Sequence, residues 1–341
     1  MQPVFDGHND ALTREDHARI ATGRAGGHLD IPRMREGGMR GGIFSVFTPS
    51  ARMRKRPLRR APGVLELKPA RPVDHRRAAA HATAVAGRLL GMERAGVIRV
   101  ARDIADVDAA RGDRGPPVAV LHLEGAEAID PSLEALEAWY ATGLRSLGPA
   151  WSRSNAFAHG VPFVSPSSPD IGPGLSEAGR ALVRRCAELG IVVDLSHLND
   201  AGFWDVARLD AGPLVASHSG VHTLAPSSRN LTDAQLDAIG ASDGLVGIVF
   251  ANAFLRSDFS DDADTPLELI AEHARYVAER IGTEHVAFGS DFDGAQIPAA
   301  LGDVSGLPKL LATLAEAGFT RDETAAIAWD NWRRVLAAWW R

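Results

Sequence analysis

Eight short apolar runs, each closing on a polar or glycine-rich turn, constrain this chain more than any other feature of its sequence. They are PVFDGH from Pro3, GGIFSVF from Gly41, PVAVLHLE from Pro117, GLRSLGPAW from Gly143, GIVVDLSH from Gly190, GPLVASH from Gly212, DGLVGIVF from Asp243 and EHVAFGSD from Glu284. Helical patterns lie between most of them, as in EAGRALVRRCAELG before the fifth run and LELIAEHARYVAERIG before the eighth. A strand followed by a helix, repeated, is the pattern of parallel βα units. Eight such units predict an α/β chain folded as a closed (β/α)8 TIM barrel of the metal-dependent hydrolase type rather than an open sheet. At 341 residues, the length suits one such barrel, so residues 1–341 are expected to form a single domain.

The local exception is a basic, proline-rich insertion at about 51–73, with RMRKRPLRRAPGVLELKPARP running from Arg52 to Pro72. It follows the second run and precedes a helix expected to begin near Asp74, and it reads as a solvated loop. Interleaved aromatics are lacking there and the net charge is -6, with a pI near 6.1, so a nucleic-acid partner is not expected. No run approaches the ~20 apolar residues of a membrane span, and no cationic start leads into an apolar stretch near Met1, so the expected address is cytoplasmic and away from membranes. The single cysteine, Cys186, rules out an intramolecular disulfide and falls in the helical pattern LVRRCAEL, which predicts a buried thiol. A small molecule is the remaining class of partner.

Ionisable residues gather at the C-terminal ends of the eight runs, where barrels of this kind carry their active sites. In DGHND, Asp6, His8 and Asp10 alternate, so on an extended strand they point one way and His8 with Asp10 can grip a cation. The third run ends with Glu124, and His122 lies two residues back on the same face. A carboxylate closing a strand buried on both faces needs a compensating charge. The fifth and sixth runs end DLSH and ASHSG, offering His197 and His218 at equivalent positions, and the eighth ends FGSDFDG, where Asp291 completes the ring. Mixed imidazole and carboxylate donors suit zinc better than magnesium or calcium. The set is too large for one four-coordinate ion, but a bridging carboxylate would let it serve two ions roughly 3.5 to 4 Å apart. Asp6 and Asp194 are expected to orient metal-binding histidines or to cap turns. His17, His28, His75, His81, His222 and His273 lie in loop or helical patterns and are expected to be solvated, whereas Trp329, Trp332, Trp339 and Trp340 are spaced to pack a terminal helix on the barrel or on a second subunit.

With DGHND, EG after the third run, DLSH, SHSG, the SRN of Ser228 to Asn230 and GSDFDG in this order, the chain resembles the membrane (renal) dipeptidase family of amidohydrolase-like barrels. The resemblance implies that His8 and Asp10 bind one zinc ion, His197 and His218 a second, and Glu124 bridges both. It implies that Asp291 is the general acid and base, and that Arg229, helped by Asn230, clamps the substrate carboxylate through its planar fork. The implied activity is hydrolysis of dipeptides, including those with a D-residue at the C-terminal position, by a hydroxide shared between the two metal ions, in a homodimer. The alternative is a binuclear barrel amidohydrolase acting on a cyclic amide, lactone or N-acyl amino acid. One departure stands out: family members carry a histidine in an LTH motif after the fourth strand, and LGPAWSRSN has Trp151 there. Trp151 can pack and donate one hydrogen bond but bears no charge. Either His159 in AHG supplies the missing contact or the substrate range differs.

Overall fold

Each of the eight runs contains a strand in the computed structural model, which describes residues 1–50, 58–61, 64–66, 70–112 and 114–340. We label them β1 (Val4–Asn9), β2 (Met39–Phe47), β3 (Val118–Glu124), β4 (Leu144–Gly148), β5 (Val192–Val193), β6 (Val215–Ser219), β7 (Leu245–Ile248) and β8 (Val286–Phe288). All pair in parallel with their sequence neighbours: β1 to β5 form one ladder and β6 to β8 another. Parallel bridges between Asp194 and Val215 and between Asn9 and Phe292 join the two ladders at both edges. The sheet therefore closes into an eight-stranded barrel. Closure explains the near-continuous apolar character of the strands, since one face meets the barrel interior and the other the helical layer.

The helices begin and end where local chemistry directs. Helix Glu177–Leu189 starts at Ser176, whose side chain accepts from the Gly179 amide, and ends at Gly190 with φ 69. Its Cys186 is fully buried, and burial pushes the thiol up to about 12. Helix His75–Arg94 is capped by Asp74, which accepts from the Arg77 amide. Helix Asn331–Trp339 crosses the barrel's N-terminal end. Trp329 and Trp332 are fully buried against Phe5, with ring centroids 5.7 and 5.9 Å apart, and Trp332 donates to the Phe288 carbonyl at 2.9 Å. Trp339 and Trp340 donate to Pro213 and Arg145 carbonyls, so the terminal tryptophans pack on their own barrel.

Gly7 of DGHND lies beneath this plug, where a Cβ would stand 2.6 Å from the Ser217 carbonyl oxygen, 2.7 Å from that of Phe288 and against the Trp332 ring. Only glycine lets the strand carry His8 so close to its neighbours.

Most histidines of loop and helical patterns are less solvated than expected: His17, His28, His81 and His222 are half-buried, and His273 is fully enclosed. His273, on helix Glu268–Ile281, is buried, accepting from the Val221 amide at 2.9 Å and donating to the Leu255 carbonyl at 3.1 Å, and burial lowers it to about 4. His28 is half-buried and accepts from the Asp293 amide at 3.0 Å. Within the basic insertion, strands Leu58–Ala61 and Val64–Glu66 pair antiparallel, and the second also pairs with Val164–Ser165. Residues 51–57, 62–63 and 67–69 of the insertion lie outside the described residues. Among the described residues no helix is long and apolar enough to cross a membrane.

Candidate metal centre

At the C-terminal rim the strand ends converge on the Glu124 carboxylate. Its Oε1 lies 3.7 Å from His8 Nε2, 3.0 Å from His197 Nε2 and 3.7 Å from His218 Nε2. His8 Nε2 is 3.9 Å from Asp10 Oδ2, and the His197 and His218 Nε2 atoms are 3.0 Å apart. Among the described residues, donor atoms within 4.8 Å of one another fall into overlapping sets: His8, Asp10 and Glu124; Glu124, His197 and His218; His8, His218 and Asp291; and His8, His122 and Asp194. Glu124 is common to the first two, which is the arrangement a bridging carboxylate requires. Both ring nitrogens of His8 and Oδ1 of Asp10 are buried without a hydrogen-bond partner. Orphaned donor atoms at a point where three imidazoles and two carboxylates meet fit divalent cations.

Burial dominates the electrostatics of the cluster. Burial raises the Glu124 carboxyl to about 8 and that of Asp291 to about 7, against the pull of His8 in both cases. Burial disfavours charge on His8, but Glu124 first and then Asp10 and Asp291 lift it to about 10. Burial holds His197 and His218 far below the usual imidazole range, assisted chiefly by Arg229 for the first and His8 for the second. Neutral imidazoles with their Nε2 atoms turned inward are the form that binds metal.

A metal at Nε2 requires the proton on Nδ1, and the structure supplies an acceptor for two of the rings. His197 Nδ1 meets Ser152 Oγ at 2.7 Å, and His218 Nδ1 meets Ser217 Oγ at 2.8 Å. The Ser217 hydroxyl donates onward to Asp194 at 2.6 Å. Asp194 therefore steadies His218 through Ser217 and takes no ring proton itself; it also accepts from the Ser196 and Ser217 amides. Asp6 likewise accepts from the Ser290 amide at 2.7 Å and hydroxyl at 2.9 Å, tying β1 to the turn after β8. Ser152 and Ser217 escaped the sequence reading, although each stands within one residue of a residue singled out there. His122 donates or accepts at Ser146 Oγ, 2.9 Å away, with Nε2 3.8 Å from Asp194.

Two members of the site sit in left-handed backbone, His197 with φ 69 and Asp291 with φ 60. Such conformations cost about 1–3 kcal/mol each in residues other than glycine and persist where the surroundings over-determine them. Here the Val161 amide holds the His197 carbonyl at 2.9 Å, and the Asp291 amide donates to the His8 carbonyl at 3.0 Å.

The remaining residues separate by environment. Arg229 is buried, donating to Ser219 Oγ at 2.8 Å and the His218 carbonyl at 2.7 Å; its Nε has no partner, and no described carboxylate forms an ion pair with it. Burial lowers it to about 10, opposed by Asp194, Asp291 and Glu124. Asn230 accepts from the Gly220 amide and donates to the Ala225 and Phe254 carbonyls, so its carboxamide anchors the Arg229 loop. Trp151 packs on His197 with centroids 5.6 Å apart. His159 faces elsewhere, its Nδ1 on Ser154 Oγ at 2.7 Å and its ring against Gly172.

Comparison with known proteins gives concordant matches. The sequence model of the family described as membrane dipeptidase (Peptidase family M19) matches residues 1–339. The chain is 44% identical to a metallo peptidase from Rhodobacter sphaeroides solved with a phosphinate mimic of the dipeptide L-Ala-D-Ala, with a TM-score of 0.92 and 99% of each chain covered. It is 46% identical to the solved dipeptidase AC, a metallo peptidase of family M19, again with a TM-score of 0.92, covering 99% of this chain and 98% of that one. A Klebsiella pneumoniae protein described as uncharacterized, in the pqqA 5′ region, is 46% identical over 247 residues, 72% of this chain and 91% of the other.

Proposed function

The chain belongs to the membrane dipeptidase family and is a metal-dependent dipeptidase; from that premise we propose that it works with two zinc ions, one held by His8 and Asp10, the other by His197 and His218, with Glu124 shared between them. The observation that carries this reading is the position of one Glu124 oxygen within 3.0 to 3.7 Å of three imidazole Nε2 atoms. When bound, such a pair of cations lowers the pKa of a shared water and polarises the scissile carbonyl.

The chain's own residues do the rest. Asp291, the part-exposed acid of the cluster, takes a proton from the attacking water and returns it to the leaving amine. Arg229, a buried cation that pairs with no described carboxylate, is costly unless an anion arrives, and a free substrate carboxylate is the anion an exopeptidase receives. That requirement gives dipeptide register. Asn230 serves by fixing the Arg229 loop through backbone hydrogen bonds. Trp151, standing where the family carries a histidine, covers His197 and presents one N–H to substrate, and His159 buttresses the loop behind it. The bound L-Ala-D-Ala mimic of the Rhodobacter relative supports acceptance of a D-residue at the C-terminal position.

The test is elemental analysis paired with a dipeptide assay before and after chelation. We expect close to two zinc ions per chain, activity lost on chelation and restored by zinc. One ion per chain at full activity would overturn the binuclear centre. Arg229→Ala should abolish dipeptide cleavage; retained activity on an uncharged lactone or ester, with dipeptides untouched in the parent enzyme, would favour the amidohydrolase alternative.

A further inference from the structure

Between the imidazole of His197 and the guanidinium of Arg229 runs an unbroken aromatic ribbon. Trp151 lies 5.6 Å from His197, Phe163 lies 5.5 Å from Trp151 and 6.1 Å from His197, and Phe254 lies 5.4 Å from Phe163, all between ring centroids. Arg229 Cζ then stands 5.9 Å over the Phe254 ring. Phe254 belongs to a small apolar cluster, separate from the main core, with Val249, Ala251 and Phe259, against which Phe163 and Leu65 of the insertion pack. The only polar side-chain atom of the ribbon is the Trp151 indole nitrogen.

We propose that this ribbon is the side-chain subsite for the C-terminal residue of the substrate and selects dipeptides in which that residue is apolar. The inference rests on the reading of Arg229 as carboxylate clamp and His197 as zinc ligand. A dipeptide with its carboxylate at one pole and its scissile carbonyl at the other must lay its C-terminal Cα between them, alongside Phe163 and Phe254. A methylene buried there gains roughly fourfold in binding. An aspartate or lysine side chain laid between Phe163 and Phe254 meets ring faces and loses its hydration, because Arg229 is taken up by the substrate carboxylate and Arg153, over the Trp151 ring, is already paired with Glu127. The clamp and the subsite are mechanically one piece, because Asn230 donates to the Phe254 carbonyl at 2.8 Å while its chain neighbour Arg229 faces the ring.

The experiment is a panel of L-Ala-Xaa dipeptides with Xaa as Ala, Leu, Phe, Asp or Lys in both configurations, run on the zinc-loaded enzyme. In at least one configuration kcat/KM for Leu and Phe should exceed that for Asp and Lys about 30-fold or more. Phe163→Ser, at a half-buried position, should lower the Leu-to-Asp ratio at least about fivefold, mainly through KM, whereas Phe163→Leu should keep it. Equal kcat/KM for Leu- and Asp-ended dipeptides in both configurations, with cleavage proceeding, would overturn the subsite and leave the dipeptidase reading standing. An unchanged ratio in a folded Phe163→Ser variant would overturn it too. Failure of the zinc-loaded enzyme to cleave any member would overturn both readings together.

Discussion

Replacing Arg24 by Met should reveal how the turn that carries Asp291 is held. Arg24 comes from the loop after β1 and pairs through Nη2 with Asp293, two residues beyond Asp291; both side chains are wholly excluded from solvent. Asp293 sits in left-handed backbone, φ 69, and its other oxygen accepts from the His28 amide at 2.6 Å. Among the described residues Arg14 also pairs with it, its Nε 3.8 Å away on a side chain about one-third exposed. Removing one partner of a buried pair costs about 3–5 kcal/mol, because the remaining charge stays buried. Arg14 can offset part of this, but its exposure screens the attraction, which leaves a loss of about 2–4 kcal/mol. Unfolding entropy near 2.1 cal/mol/K per residue makes that a fall in Tm of roughly 3–6 °C for a chain of this length. The double variant Arg24→Met, Asp293→Asn should recover most of the loss, since no unpaired charge remains. Urea and thermal unfolding of the zinc-loaded protein measure both. An Arg24→Met variant within about 0.5 kcal/mol of wild type, or a double variant less stable than the single one, would refute the reasoning.

Three further outcomes are expected. Asp291→Asn should lower kcat by about 10²–10⁴ while metal content stays at the wild-type level; loss of metal in the variant would make Asp291 a ligand first. Gly7→Ala drives a methyl group into the Ser217 and Phe288 carbonyls and should cost at least ~2 kcal/mol, so a variant that melts like wild type would show that the barrel floor can yield. His273 is held at about 4 in the folded chain, below its ordinary value. Between that value and pH 6.5 the unfolded chain therefore binds the extra proton, and stability falls as pH drops through this window, by up to ~3 kcal/mol. His273→Gln should flatten that part of the stability profile, and equal slopes for variant and wild type would sink the assignment.

The barrel was legible in the sequence because strand and helix periodicities are local: GIVVDLSH and EAGRALVRRCAELG carry their own starts, stops and buried faces. The gathering of His8, Glu124, His197, His218 and Asp291 was legible for a related reason. Parallel strands of one barrel end on one rim, so polar residues closing separate apolar runs meet there whatever their separation in the chain. Tertiary structure decided which groups serve them. Ser152 reaches His197 across 45 residues, and Arg24 reaches Asp293 across 269, with no periodic pattern to announce either contact. His273 looked solvated because it lies in a helical pattern between Glu272 and Arg275; it turns inward on the face of Ile270, Ala274 and Val277, where the Val221 amide and the Leu255 carbonyl satisfy its ring. The aromatic ribbon likewise joins Trp151 and Phe163, from the connection after β4, to Phe254 in the short helix Asn252–Leu255 after β7, which no one segment implies. Local periodicity follows from backbone geometry and can be read along the chain, whereas side-chain partnership depends on where loops land after the barrel has closed.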